Sequence, residues 1–183
     1  MFNVRHFREK LLDAKAKSKF DDAVDYLTQN SQFANWLILQ LKCSGKAIEV
    51  LVSDGEPYAR ENSWAGPKFD LGNSGGTICW NASRPKEKGN RSAAMGLMHE
   101  LGHAYQFLSE KQGVKAVMKP RFFGRCYQTG KQQQVVRSAE FIENIEDTNV
   151  AAIEQTVATE INASLKQKNA PEELFEQVRE SYI

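Results

Sequence analysis

The stretch Ser92-Ala-Ala-Met-Gly-Leu-Met98-His99-Glu100-Leu101-Gly102-His103-Ala104-Tyr105-Gln-Phe-Leu-Ser109 carries the strongest pattern in the chain. Its apolar residues Ala93, Ala94, Leu97, Met98, Leu101, Ala104, Phe107 and Leu108 recur at three- and four-residue spacing, which predicts a helix over 92–109 that Gly113 would stop. Two histidines four residues apart on a helix project from one face, one turn from each other, so both imidazoles can reach a single ion. Glu100 lies beside the first of them, where a carboxylate can take a proton from an attacking water and return it to a leaving group. The alternative, two histidines aligned by chance, is opposed by the apolar residues on nearly every side. They would bury His99, Glu100 and His103, and buried polar groups need partners.

Working outward, a third ligand is expected, because a catalytic zinc usually takes three from the protein and leaves a position open. His6, the only other histidine, sits between Arg5 and Phe7 and reads as solvated. A later helix, starting at Asp147 or Thr148 and running to about Lys168, offers carboxylates instead. On a wheel of 100° steps, Val150, Ile153, Val157, Ala158, Ile161 and Leu165 form one apolar stripe with Glu154 near its middle. An ionised glutamate there needs a cation or strong donors, so Glu154 is the first candidate for the third metal ligand. Glu160, on the flank of the stripe, and Glu146, ahead of the helix, remain alternatives, and a salt bridge is the structural reading of Glu154. Tyr127 and Tyr105 are weak candidates for stabilising an oxyanion.

The rest of the chain predicts an α+β domain that is mostly helical, with a small antiparallel or mixed sheet next to the metal-binding helix. Amphipathic spacing marks helices from Phe7 to Ala14 and from Phe20 to Leu27, and Ser31 is placed to cap a helix over 32–42 ended by Ser44-Gly45. Ala47 to Ser53 and Thr77 to Asn81 read as strands, with at most one short strand in the Gly- and Pro-punctuated segment between them. The strand 77–81 could offer a free edge to an extended peptide, or be purely structural. Residues 122–127 and 135–136 suggest a hairpin, and residues 172–179 a short final helix.

A length of 183 residues with no repeat or linker predicts one domain over 1–183. Twenty-four Lys plus Arg against 23 Asp plus Glu leave a net charge of +1, too little to draw the chain to nucleic acid or anionic lipid. No apolar run is long enough for a membrane span, and the start of the chain lacks the apolar core of a signal peptide, so a cytoplasmic site of synthesis is expected. Cys43, Cys79 and Cys126 are odd in number and widely spaced, and read as reduced packing residues.

From about Phe20 to Glu173 the sequence resembles the effector-type zinc metallopeptidases of bacteria, NleD-like proteins and the peptidase domains carried on type VI secretion spike proteins. The resemblance rests on Lys42-Cys43-Ser44-Gly45, Gly76-Thr77-Ile78-Cys79-Trp80-Asn81, the 98–105 motif, Glu154-Gln155-Thr156-Val157 and Glu160-Ile161-Asn162. It departs from the family where Ile161 separates Glu160 from Asn162, and where Lys166 stands as the nearest basic residue. Residues 1–19 have no counterpart and form a candidate N-terminal extension. The resemblance implies a zincin fold, one Zn2+ per chain held by His99, His103 and a glutamate of the later helix, and Glu100 as general base. It further implies a toxin or effector that hydrolyses peptide bonds of a protein substrate, delivered into another cell by a specialised secretion system and restrained by an inhibitor or immunity protein. The competing expectations are a housekeeping peptidase of the producing cell and a non-catalytic binding module of the same fold.

Overall fold

A computed structural model describes residues 1–6, 14–54, 62–67, 73–83, 92–111, 149–171 and 175–177. In chain order these form β1 (Phe2–His6), α1 (Ala14–Asn30), α2 (Gln32–Cys43), β2 (Ala47–Ser53), β3 (Ser63–Ala65), β4 (Ser74–Asn81), α3 (Ala93–Lys111), a π-helical turn (Asn149–Glu154) and α4 (Gln155–Gln167). The architecture is α+β, with four α-helices among the described residues and a small mixed sheet in the order β1-β2-β4-β3. β1, β2 and β4 run parallel, and β3 pairs antiparallel with β4 at the edge.

Among the described residues one face of the sheet carries the apolar side chains of the core. Register aligns Val4, Val50, Ile78 and Trp64 in a single row across all four strands, and every one of them is buried. The neighbouring row on the other face holds Asn3, Glu49 and Thr77, joined by an Arg5–Glu49 ion pair and by the Thr77 hydroxyl donating to Glu49 at 3.3 Å. Side chains of a strand alternate between faces, so among the described residues the sheet packs its apolar row, and not the polar one, into the core. Gly76 makes the β3 edge possible. Its φ is +98°, and a Cβ there would stand 2.4 Å from the Ala65 carbonyl and 2.8 Å from the Trp64 indole nitrogen, at the point where the β2–β4 register shifts.

α3 lies at the centre. Every residue from Ala94 to Ala104 is buried, enclosed by α1, α2, the sheet and the π-turn. Its N-terminus is fixed twice: the Ser92 hydroxyl accepts from Met95 N–H at 3.2 Å, and the Ser92 N–H donates to the buried Glu176 carboxylate at 2.9 Å. Glu176 also accepts from the Tyr26 hydroxyl at 2.8 Å, and its backbone is held on both sides by the Asn162 amide. Burial, and then the Glu176 charge, push the Tyr26 phenol well above its ordinary range.

Several expectations change here. Residues 2–6, read as part of an extension, are the outer parallel strand of the sheet. The predicted helix at 7–14 lies almost wholly outside the described residues; α1 runs unbroken from Ala14 through the expected Phe20–Leu27 segment. β4 is flanked by β2 and β3, so it has no free edge for a peptide. Residues 175–177 are not helical, and the proposed hairpin at 122–127 and 135–136 lies outside the described residues. Cys43 is exposed rather than packed, Cys79 is partly buried, and Cys126 lies outside the described residues. Among the described residues no helix is long and apolar enough to cross a membrane.

Candidate metal centre

His99, Glu100 and His103 project from the middle of α3, each about 3% exposed, and can offer ligand atoms that all lie within 4.8 Å of one another. The two imidazoles meet edge to face, their planes at 90° and their centroids 4.6 Å apart. Their Nε2 atoms stand 3.0 Å from each other. Two nitrogens each about 2.0–2.1 Å from one tetrahedral ion would be roughly 3.3–3.4 Å apart, so the pair is within a few tenths of an ångström of a shared-ion geometry. The donor set fits a zinc ion, which takes neutral imidazole and carboxylate oxygen.

The π-turn closes the site from the side of the later helix. In a π-turn the backbone bonds run from i to i+5, so residues five apart fall on the same side, whereas in an α-helix they would lie about 140° apart. Asn149 and Glu154 are five apart and both reach His99. The Asn149 amide donates to the His99 carbonyl at 2.9 Å and lies 3.3 Å from His99 Nδ1 and 3.4 Å from His103 Nε2. The Glu154 carboxylate, fully buried, pairs through Oε1 with His99 Nδ1. The approach depends on Gly102: a Cβ there would sit 2.2 Å from Asn149 Oδ1, and 3.1 Å from both Asn149 Cγ and the Ile153 methyl.

The floor of the site is aromatic. Trp64 of β3 lies nearly parallel to the His103 ring, with centroids 6.5 Å apart and planes inclined by 26°, and Phe107, one turn further along α3, also packs on the indole, with centroids 5.5 Å apart. The indole N–H donates to the Gly75 carbonyl at 3.3 Å, which holds the ring in place.

The structure therefore brings together four of the residues singled out from the sequence: His99, Glu100, His103 and Glu154. It separates the others. Glu160 points to the start of α2, where its carboxylate accepts from the Ser31 hydroxyl at 2.6 Å and from the Phe33 N–H at 2.9 Å; it is a helix cap and not a metal ligand. Tyr105, two residues after His103 and hence about 200° round the helix, packs against Trp36 of α2 with centroids 5.4 Å apart, which removes it as an oxyanion donor. Glu146 and Tyr127 lie outside the described residues. Sequence reasoning missed Asn149 and Trp64. The available signal was the glycine inside the motif, since a helix that gives up its side chain at Gly102 leaves room for a neighbour to come close. Comparison with protein-family models, with curated proteins and with solved structures found no match.

Proposed function

We propose that this chain is a zinc-dependent peptidase, a reading carried by the 3.0 Å Nε2–Nε2 approach of two buried histidines beside a buried Glu100. His99 and His103 would hold one zinc through Nε2. Bound there, zinc would lower the pKa of water and polarise a scissile carbonyl. Glu100 would take a proton from the attacking water onto its carboxylate and pass it to the leaving amide nitrogen. Trp64 keeps the His103 ring oriented, and β3, the sheet edge nearest that ring, would receive an extended peptide by strand addition. The fold expected of this chemistry is zincin-like, and the sequence likeness to effector-type peptidases supports a protein substrate in another cell and an inhibitory partner in the producing one.

The test is metal analysis combined with proteolysis of a denatured protein substrate. The wild-type chain should carry about one zinc and cleave; Glu100→Gln should keep the zinc and lose about 10²–10⁴ of the rate. An inactive wild-type chain with full zinc, or a Glu100→Gln variant as active as wild type, removes the peptidase reading.

A further inference from the structure

We infer that Glu154 is a positioning residue for His99, setting which ring nitrogen carries the proton, and not the third ligand of the metal; this rests on the zinc reading above. Imidazole Nδ1 and Nε2 point away from one another, so an ion shared by the two Nε2 atoms lies on the edge of the His99 ring opposite the Glu154 contact at Nδ1. The carboxylate accepts only, so the hydrogen between them belongs to Nδ1, and Nε2 is left with the lone pair that coordination requires. Placed on the first ligand in this way, a carboxylate holds the ring's rotation and raises its basicity, and such partners are worth 10–100-fold in metal affinity.

The π-turn makes this possible. Continued as an α-helix, the segment would turn Asn149 and Glu154 about 140° apart, and only one of them could reach His99. With the i to i+5 turn, Asn149 grips the backbone carbonyl of His99 while Glu154 grips its ring, so one short segment fixes both ends of the same residue. The buried carboxylate, costly in an apolar stripe of Ile153, Val157 and Ile161, faces positive charge relayed through the imidazole once the ion is bound.

The decisive measurement is the coordination set. In wild-type protein loaded with cadmium-113 and labelled with nitrogen-15 histidine, metal coupling is expected at Nε2 of both His99 and His103, with Nδ1 of His99 protonated. Coupling at Nδ1 of His99 overturns the inference. In parallel, Glu154→Ala should still bind one zinc, about 10–100-fold more weakly, with Glu154→Gln between it and wild type, and the visible spectrum of the cobalt-substituted variants should match wild type. A cobalt spectrum altered in Glu154→Ala, or a zinc affinity unchanged by it, sinks the assignment of Glu154 alone. A wild-type chain that binds neither zinc nor cobalt sinks the metal reading itself.

Discussion

Replacing Gly102 by Ala tests the packing on which the site depends. In an exposed helix this change stabilises by about 1 kcal/mol, because alanine is the better helix former. Here the new Cβ would lie 2.2 Å from Asn149 Oδ1, against 3.4 Å for ordinary contact, so the π-turn must retreat by 3.4 minus 2.2, or about 1.2 Å. Inserting a methyl into a filled core costs about 1–3 kcal/mol. The retreat also breaks the Asn149–His99 carbonyl bond, worth about 1 kcal/mol. Setting these against the helical gain leaves a net loss of about 1–3 kcal/mol. At about 2–4 °C per kcal/mol for a chain of this size, the melting temperature should fall by roughly 2–12 °C. Zinc affinity should fall with it, since Glu154 retreats on the same turn. Thermal unfolding followed by circular dichroism, with and without zinc, reads both effects. Asn149→Ala in the Gly102→Ala background should recover part of the loss, giving a coupling of about 0.5–3 kcal/mol in a double-mutant cycle. A Gly102→Ala variant that melts higher than wild type with unchanged zinc affinity would refute the close approach.

Glu160→Gln should cost about 1–2 kcal/mol through the weakened start of α2 while leaving zinc stoichiometry and affinity intact; lost zinc would return Glu160 to the site. Tyr26→Phe takes one donor from the buried Glu176 carboxylate and should destabilise by about 1–3 kcal/mol, measured by urea unfolding, and an effect near zero would show that Ser92 alone satisfies that acid. Asp54 is held below the usual carboxylate range chiefly by its 2.5 Å hydrogen bond from Lys19, with Lys15 at 3.6 Å adding to it. Its folded pKa is depressed, so its contribution is complete above the unfolded value near 3.9 and disappears as pH falls through the folded one. Asp54→Asn should therefore lower stability by about 0.5–1 kcal/mol at neutral pH, and the difference should shrink and vanish as pH is taken down through the acid limb.

Local signals were legible where local forces decide. Ser31 caps α2, its hydroxyl accepting from Ala34 N–H at 2.9 Å, and the strand 47–53 has the bounds its β-branched residues predict. The apolar stripe of the later helix placed Glu154 inside the core, because Ile153, Val157, Ala158 and Ile161 are buried with it. The misses are non-local. β1 has one fully buried side chain, Val4, and owes its existence to a partner more than forty residues away, so its own five residues give little sign of a strand. The π-turn was invisible because a wheel of 100° steps assumes α-helical phase throughout; it found the burial of Glu154 but not the ring nitrogen that the carboxylate meets. Glu160 was read from its own helix, while its partners, Ser31 and Phe33, belong to a helix far back in the chain.

With α3 enclosed from Ala94 to Ala104, the amides around His99 and His103 can exchange with solvent only through large-scale opening of the molecule, so they belong among its slowest protons. The candidate metal ligands are thus mounted on an enclosed segment, where local breathing would not blur their spacing. An ion bound there at 100 times its dissociation constant would add about 2.7 kcal/mol to global stability, so stripping it should loosen remote segments such as β1 as much as the site itself.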